Sequence, residues 1–395
     1  MISMNKLSHY LVGGAVRDEL LGLPVADRDF VVIGASVEEM ISNGFMPVGR
    51  DFPVFLHPHT KEEYALARTE RKTGRGHQGF SFHADPSVTL AEDLARRDLT
   101  INAIAKSSED EFIDPFQGID DIKNKVLRHV SAAFVEDPLR VLRVCRFTST
   151  LNFDIHPDTL NLMIQLVNTD EINDLSPERI WSEILKGLMG KKPSRMIDSL
   201  IECGALNAIN SSLSNGVHDL ENKKVICETL DLAATKNLPI EARVAIFCLL
   251  TEHNVEKIIR EYIPKISKRK TAAESVLNQL KATKSQTKTS MLLLGYIDSI
   301  LNAAKLTNEQ IVDLVMHLDG LRQPERFEKI LDAAATTGQA VAGQSCTNHV
   351  RILIVSLKIL RSIKHNDFAK IDSTSEINER VRSARIIALD KELTR

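Results

Sequence analysis

Short apolar runs of strand length alternate with helical patterns over the first part of the chain. The apolar, β-branched runs lie at residues 10–14, 29–34, 52–57, 63–68 and 99–105. The segment 37–44 between two of them places its apolar residues at helix spacing instead. Because strands and helices take turns in this way, the pattern predicts a mixed α/β region that extends to about Val130.

From about Asp137 onward the pattern becomes helical and remains so. Apolar residues recur at helix spacing in segments 139–147, 180–189 and 195–203, and glycine and proline become scarce between 205 and 335. A stretch that contains Gly and Thr, at 335–347, predicts a linker before a last helical pair.

Together these patterns predict an α+β fold. An N-terminal head with a mixed or antiparallel sheet is followed by an all-helical neck, body and tail. The expected boundaries are 1–136 for the head, 137–205 for the neck, 206–334 for the body and 335–395 for the tail.

The composition is that of an ordinary globular protein with room for more than one core. The chain has 395 residues, of which 43% are hydrophobic and 26% charged, with a net charge of −3. It has no apolar run of about 18 residues and no apolar signal-peptide core, so we expect a cytoplasmic protein without a membrane span. The five cysteines are scattered without a C-x-x-C pair, which disfavours a disulfide framework or a zinc site. The near-neutral charge argues against nucleic-acid binding over the whole surface but leaves room for a local basic patch.

A glycine pair follows the first apolar run. Gly13 and Gly14 lie between that run and a helical pattern expected to begin near Arg17 and Asp18. A strand–glycine–helix turn lets backbone N–H groups approach an anionic ligand, and Arg17 adds a charge-assisted contact to a phosphate. Taken alone, the pair is more typical of an ordinary tight turn.

Two carboxylates lie one residue apart in the next apolar run. Residues i and i+2 of a strand point to one face, so Asp27 and Asp29 are expected to converge. Like charges at such a distance repel one another unless a cation lies between them, and carboxylate oxygens suit Mg²⁺. An isolated pair of this kind is more often a solvated strand end, but the upstream glycine turn favours the metal site.

These residues carry a resemblance to a known family. GGAVRD followed by DRD resembles the signature of the nucleotidyltransferase superfamily that contains DNA polymerase β, in the branch of class II tRNA nucleotidyltransferases and bacterial poly(A) polymerases. The resemblance runs from about Tyr10 to Leu206, and DFPVFLHP and EEYALARTERK are most similar to gammaproteobacterial CCA-adding enzymes. It implies a palm-like nucleotidyltransferase head that adds C, C and A to the 3′ end of tRNA from CTP and ATP, with two Mg²⁺ ions, releasing pyrophosphate.

The resemblance also assigns roles in the head. Asp27 and Asp29 are the catalytic metal ligands, and Glu63 occupies the place of a third acidic ligand, although a surface glutamate is an equal alternative. Gly14, Arg17, Arg97 and Asp98 are expected to contact the nucleotide. The segment 69–82 corresponds to a flexible loop associated with addition of the terminal A; its plain alternative is a solvated hairpin loop.

A row of arginines follows at 136–147. Asp137, Arg140, Arg143 and Arg146 recur at a spacing of three, so they share a helix face, and the arginines have no acidic partner nearby in the sequence. The resemblance implies that Asp137 and Arg140 read the base while Arg143 and Arg146 contact nucleotide or phosphate. A basic helix that faces RNA is the alternative.

The last motif is PERIWSE at 177–183. Glu178, Arg179 and Glu183 fit the family's E-R-x-x-x-E pattern, and we expect them to form a structural brace behind the arginine helix.

The chain departs from its close relatives in one respect. Those relatives usually carry a metal-dependent HD phosphohydrolase domain, which needs an adjacent His-Asp pair together with further ligands. Beyond residue 205 the only adjacent pair is His218-Asp219, in a polar segment, and the position of the central pair is apolar. We therefore expect the HD site to be absent, which puts hydrolase activity in doubt but not the transferase.

The expected partners are CTP, ATP and the acceptor and TΨC arms of tRNA, held by the helical region. Candidate basic contacts lie at 191–195 and 265–270, where a solvated charge run is equally plausible. The rival functions are an enzyme that adds only A, a poly(A) polymerase and a non-catalytic RNA-binding protein; intact Asp27 and Asp29 disfavour the last. The oligomeric state stays open.

Overall fold

The computed structural model describes residues 7–25, 27–48, 54–72, 80–260, 271–342, 347–363 and 374–393. The chain divides into two compact units. The first comprises residues 1–176 and 202–208, and the second comprises residues 177–201 and 209–395.

The first unit is built on a mixed sheet. Its strands are β1 (Ser8–Val12), β2 (Asp29–Ile33), β3 (Met46–Val48), β4 (Val54–Leu56), β5 (Glu63–Leu66), β6 (Arg68–Lys72), β7 (Phe80–Ala84), β8 (Ala105–Lys106), β9 (Phe112–Ile113), β10 (Val126–Leu127) and β11 (Asp154–Ile155). Among the described residues, seven of them form one sheet in the order β3-β4-β5-β2-β1-β8-β9. β2 and β5 run parallel, and the other neighbours in this sheet are antiparallel. The head therefore has the mixed sheet that the apolar pattern predicted.

The helices of the first unit lie between and after these strands. They are α1 (Gly14–Leu20), α2 (Val37–Ser42), α3 (Leu90–Ala95), α4 (Gly118–Asn124), α5 (Leu139–Leu151) and α6 (Pro157–Val167). Two of them, α2 and α3, begin at complete capping boxes formed by Ser36 with Glu39 and by Thr89 with Glu92. Each box satisfies backbone donors at a helix start, which explains why these short helices form where they do.

Alternation along β2 separates two apolar cores. Val31 packs in a cluster with Val12 and Leu94, whereas Val32 packs in another with Met40 and Phe55. Successive side chains of a strand point to opposite faces, so the sheet is covered on both sides. Asp29, two residues before Val31, lies on the face of the first cluster.

Three local expectations for the first unit were wrong. The run 99–105 is not one strand, because Thr100–Asn102 forms a buried 3-10 turn and only Ala105 enters the sheet. The helix after the glycine pair begins at Gly14 rather than near Arg17. Asp27 precedes β2, which begins at Asp29, so the two aspartates do not share a strand.

The second unit is helical. Its helices are α7 (Pro177–Leu188), α8 (Pro193–Glu202, whose last residue belongs to the first unit), α9 (Ala205–Ile209, of which only Ile209 belongs here), α10 (Leu220–Thr235), α11 (Ile240–Phe247), α12 (Val255–Arg260), α13 (Ala273–Gln279), α14 (Lys284–Leu301), α15 (Asn308–His317), α16 (Pro324–Ala342), α17 (Thr347–Ser362) and α18 (Thr374–Glu392). In α14, residues 289–301 are all buried, so this helix forms the centre of the unit. Among the described residues, no helix is both long and apolar enough to span a membrane.

The expected linker at 335–347 is also wrong for most of its length. Helix α16 continues through it to Ala342. Ile330, Ala334 and Val341 are buried along this helix. Burial of an apolar face outweighs the cost of about 1 kcal/mol that Gly338 imposes inside a helix.

A salt-bridge group joins α18 to α15. The Arg382 guanidinium donates to Asp313 at 3.0 Å and to Glu309 at 2.6 Å, and Asn308 hydrogen-bonds Asp390. The carboxylates raise the pKa of Arg382, which therefore stays charged. The last described helix is thus held to the unit by polar contacts as well as by the buried Val381 and Leu389.

Gly118 offers a test of packing in the first unit. A Cβ atom at this position would lie 2.2 Å from the backbone oxygen of Thr100, so Gly118→Ala should lower the free energy of unfolding by about 3 kcal/mol. Gly22→Ala is the matched control: its φ of +65° strains an alanine, but its Cβ meets nothing within 4 Å, and about 1 kcal/mol is expected. Urea unfolding measures both. Equal losses for the two variants would contradict the packing argument.

Candidate active site

The glycine turn brings the start of α1 against an arginine. Gly13 has φ +73° and ψ −133°, a backbone conformation that favours glycine. A Cβ atom at Gly13 would lie 3.0 Å from Nη1 of Arg97, so a larger residue would also press on that guanidinium. Gly13 is therefore required both by its backbone angles and by the close approach of Arg97.

Parallel strand pairing brings two of the expected acidic residues together. Asp29 of β2 is the register partner of Glu63 at the start of β5. Asp27 lies just before the strand, and its charge helps to raise the pKa of Asp29. The largest cause of that rise is partial burial of the Asp29 carboxyl, and Arg97 acts in the opposite direction. The three carboxylates therefore belong to one region of the sheet.

The donor set fits a divalent cation. Carboxylate oxygens are hard ligands, and the repulsion between Asp27 and Asp29 is what a bound cation removes. In the part of the chain that the structure describes, no three His, Cys, Asp or Glu side chains are grouped closely enough to hold a metal ion. Metal binding here therefore requires the side chains of Asp27, Asp29 and Glu63 to rotate towards one another.

A cavity of about 200 Å³ lies beside these carboxylates. Its lining combines acidic, basic and apolar side chains: Val12, Asp29, Phe30, Val31, Val54, Glu63, Ala65, Arg68, Asp93, Arg96 and Arg97. The acidic and basic groups face the same space, as binding of both cations and an anionic ligand requires.

Arg97 lines this cavity, and one of its N–H donors has no partner among the described residues. Its Nη2 donates to Asp93 at 3.1 Å, and its Nη1 donates to the backbone oxygen of Asn102 at 3.5 Å. Its buried Nε has no hydrogen-bond partner among the described residues. Burial lowers the pKa of Arg97, but the neighbouring carboxylates oppose this change. An anionic ligand in the cavity would pair with the positive charge of Arg97.

Arg68, Arg96 and Asp93 were missed in the sequence. Asp93 precedes the arginine pair by three and four residues, the spacing of side chains that meet on a helix. That spacing was the available signal for Asp93 and Arg96. Arg68 begins β6, two residues after the last residue of β5, and had no local signal beyond its charge.

Asp98 connects the glycine turn to the arginine helix. It is buried, and its Oδ1 accepts from the side-chain amide of Asn102 at 3.0 Å. The Asn102 Oδ1 in turn accepts from Arg17 at 2.7 Å. The other oxygen of Asp98 accepts from Nε of Arg143 at 2.7 Å. Burial alone would raise the pKa of Asp98, but Arg143, Asn102 and Arg140 hold it well below its usual range.

The arginines of α5 therefore have a partner that the sequence did not reveal. The expectation that they lack acidic partners is wrong for Arg143, because Asp98 lies 45 residues away along the chain. Arg140 is buried and donates to the backbone oxygens of Ala133 and Arg96. Asp137 accepts from the backbone N–H of Leu139 at 3.0 Å, at the start of the helix.

Phe147 gathers three guanidinium groups. Arg146, Arg17 and Arg143 lie 3.9, 5.1 and 5.9 Å from its ring centroid. Each distance falls within the range of a cation–π interaction, and the ring is buried. The ring thus stabilises three positive charges, one from α1 and two from α5, in one place. This local positive charge favours binding of an anion.

The remaining predicted residues lie in the second unit. Glu178 is exposed and Arg179 half-buried on α7, while Glu183 is buried, with Oε1 3.6 Å from Nζ of Lys186. Their role as a brace remains a prediction. Asp219 caps α10 by accepting from the N–H of Glu221, and His218 beside it is exposed. The His-Asp pair therefore lies at the start of a helix, where Asp219 is the N-cap.

Family models match two parts of the chain. The Poly A polymerase head domain matches residues 9–128, which contain the glycine turn, the carboxylates and the arginine pair. The family described as probable RNA and SrmB-binding site of polymerase A matches residues 152–215.

Curated relatives and solved structures extend over most of the chain. It is 45% identical over 327 residues to the CCA-adding enzyme of Bordetella pertussis, covering 82% of each, and 40% identical over 395 residues to the Multifunctional CCA protein of an Azoarcus species, covering 96% of each. It shares its fold with the Bacillus stearothermophilus CCA-adding enzyme in complex with CTP, with a TM-score of 0.70, 23% identity and coverage of 99% and 91%. Sequence identity and coverage of this extent show that the chain belongs to the family of CCA-adding enzymes, a branch of the tRNA nucleotidyltransferases.

Proposed function

We propose that the protein adds C, C and A to the 3′ end of tRNA, using CTP and ATP and releasing pyrophosphate. The observation that carries the proposal is a cavity lined by Asp29, Glu63, Arg96 and Arg97 together, beside the glycine turn. It offers ligands for cations next to donors for a triphosphate. The family membership agrees with this chemistry, and the structural relatives include the Thermotoga maritima CCA-adding enzyme complexed with tRNA.

Asp27, Asp29 and Glu63 would hold the divalent metal on which the family depends, and we propose that it is Mg²⁺. When bound, two such ions lower the pKa of the tRNA 3′-hydroxyl and neutralise the leaving pyrophosphate. The protein's own contribution is orientation. Arg17 and Arg97, beside Gly14, bind the phosphates and hold the α-phosphorus in line with the attacking hydroxyl, and Asp98 keeps neighbouring side chains in place.

Base selection falls to α5 in this proposal. Asp137 and Arg140 read the base edge, and Arg143 and Arg146 contact the nucleotide. Since Arg140 is anchored by the backbone oxygens of Ala133 and Arg96, its guanidinium is held in one orientation. A fixed planar fork of donors suits discrimination between bases better than a mobile one.

The helical unit holds the acceptor and TΨC arms in this proposal. Among the basic candidates, Lys192 already forms a salt bridge, because its Nζ lies 2.9 Å from Oδ2 of Asp231. Residues 265–270 lie outside the described residues. We also propose the cytoplasm as the place of action and keep the domain boundaries 1–136, 137–205, 206–334 and 335–395 as a proposal.

Incorporation of labelled CTP and ATP tests the function. Three tRNA transcripts, ending in the discriminator base, in C and in CC, are incubated with the enzyme and Mg²⁺. Extension of all three to CCA is the expected result. Extension of only the CC-ended transcript would indicate an A-adding enzyme, long A tails a poly(A) polymerase, and no incorporation a non-catalytic RNA-binding protein.

The role of the acidic residues can be tested by comparing their variants with a variant of a neighbouring glutamate. Asp29→Asn and Glu63→Gln should lower kcat, Asp29→Asn by roughly 1000-fold or more, because metal-based stabilisation of the transition state contributes several kcal/mol. Glu62→Gln is the matched control, since Glu62 precedes β5, accepts from the Thr60 hydroxyl and does not line the cavity. Single-turnover rates measure each variant. An Asp29 variant as active as Glu62→Gln would refute the metal assignment.

Arg140→Ala should reduce discrimination between nucleotides. The expected result is a ratio of kcat/KM for correct over incorrect nucleotides that falls about 10-fold, in line with loss of a bidentate contact. The ratio does not depend on the fraction of folded enzyme. Arg128→Ala, which removes an arginine paired with Asp121 in the same unit, should leave the ratio unchanged. Unaltered selectivity of Arg140→Ala would exclude the base-reading role.

A further inference from the structure

Asp93 of α3 lies behind the two arginines of the cavity. It is fully buried, with 0% of its surface exposed. Its Oδ1 accepts from Nε and Nη2 of Arg96 at 3.0 and 2.7 Å, and its Oδ2 accepts from Nη2 of Arg97 at 3.1 Å. One carboxylate therefore orients both guanidinium groups.

The same carboxylate reaches a second structural element. Its Oδ1 also lies within 3.4 Å of the backbone nitrogen of Arg68, the first residue of β6. β6 pairs with β7 to form a hairpin separate from the main sheet. Asp93 thus joins the base of this hairpin to the arginine pair.

Asp93 remains ionised in spite of its burial. Burial would raise its pKa, but the charges of Arg96 and Arg97 and their hydrogen bonds outweigh this effect and lower it. Removing a carboxylate from water is costly, and a buried ion pair seldom adds stability beyond what apolar residues of similar volume provide. Stability alone is therefore a weak reason for an aspartate at this position.

The arginines need such an anchor. Two guanidinium groups on adjacent residues repel each other, and each long side chain loses conformational freedom when it is held in one orientation. With Asp93 in place, both guanidinium groups are held at the cavity that Asp29 and Glu63 also line. Preorganised donors bind an anion more tightly than donors that must first be ordered.

We propose that Asp93 is a positioning residue for the triphosphate: its buried carboxylate holds Arg96 and Arg97 in their binding orientation and ties them to the β6–β7 hairpin. The identity of the anion as a nucleoside triphosphate rests on the proposed function. Asp93, a carboxylate without exposed surface, is not expected to bind the anion itself. It acts through the two guanidinium groups.

Asp93→Asn tests this role because it keeps the side-chain volume but removes the charge. Calorimetric titration of CTP and of ATP, with Mg²⁺ and without tRNA, should show that Kd rises about 10-fold or more for both nucleotides. KM should rise in parallel, with a smaller change in kcat, and the preference between CTP and ATP should stay the same. Asp93→Glu, which keeps the charge on a longer stem, should cause a smaller rise in Kd.

Asp121→Asn is the matched control. Asp121 is a buried aspartate of the same unit that accepts from Arg128 and from the Thr100 hydroxyl, but it does not line the cavity. Its variant should keep the wild-type Kd. A purely structural effect lowers the binding stoichiometry, because fewer molecules are folded, without changing Kd.

The outcomes separate this inference from the proposed function. A Kd for Asp93→Asn within twofold of the Asp121→Asn value would overturn the positioning role. Absence of nucleotide incorporation by the wild-type protein would instead overturn the proposed function. A loss of stoichiometry at unchanged Kd would show that Asp93 serves folding only, and would also overturn the inference.

Discussion

Parallel pairing of β2 with β5 is the constraint on which the site depends. It sets Asp29 opposite Glu63, from positions 34 residues apart in the chain, while Asp27 immediately precedes β2. The repulsion between Asp27 and Asp29 and the partial burial of Asp29 raise the free energy of the ligand-free site. A fold retains such an arrangement when a bound cation relieves it. The sheet thus supplies the geometry, and the remaining parts of the first unit supply the countercharges.

Polar contacts connect the helix that follows the glycine turn to α5. Arg17, Asn102, Asp98 and Arg143 form a continuous series of hydrogen bonds from α1 to α5. Loss of one member would remove a hydrogen bond from the buried polar group of its neighbour. This explains why a site for a flexible, highly charged ligand is built from side chains whose orientations are already determined.

Local motifs predicted the parts of the site but not their connections. The glycine turn was visible because it follows an apolar run, and Asp29 was visible because it begins another apolar run two positions after Asp27. The pairing of Asp98 with Arg143 was not visible, since it joins residues 45 positions apart. Asp93 resembled an ordinary acidic residue in the first turn of a helix, and its spacing to the arginine pair was the one local signal; its complete burial became visible only in the structure.

The sequence patterns predicted the fold class correctly, but the prediction for some individual elements was wrong. The run that contains Ile101 and Ile104 is buried, but residues Thr100–Asn102 of it form a 3-10 turn, and periodicity cannot distinguish such a buried run from a short strand. Glycine and threonine suggested a linker where α16 continues, because burial of Ala334 and Val341 stabilises the helix more than Gly338 weakens it. Such contacts depend on the tertiary structure, and local propensity does not contain them.

Thermal unfolding with and without Mg²⁺ tests the central claim most directly. A cation that binds only the folded state raises Tm, whereas removal of one carboxylate relieves the repulsion. We predict that Mg²⁺ raises the Tm of the wild-type protein, and that Asp29→Asn melts at the same or a higher temperature without Mg²⁺ but gains much less from its addition. An Asp29→Asn variant that is stabilised by Mg²⁺ as strongly as the wild-type protein would contradict the claim that these carboxylates form a cation site.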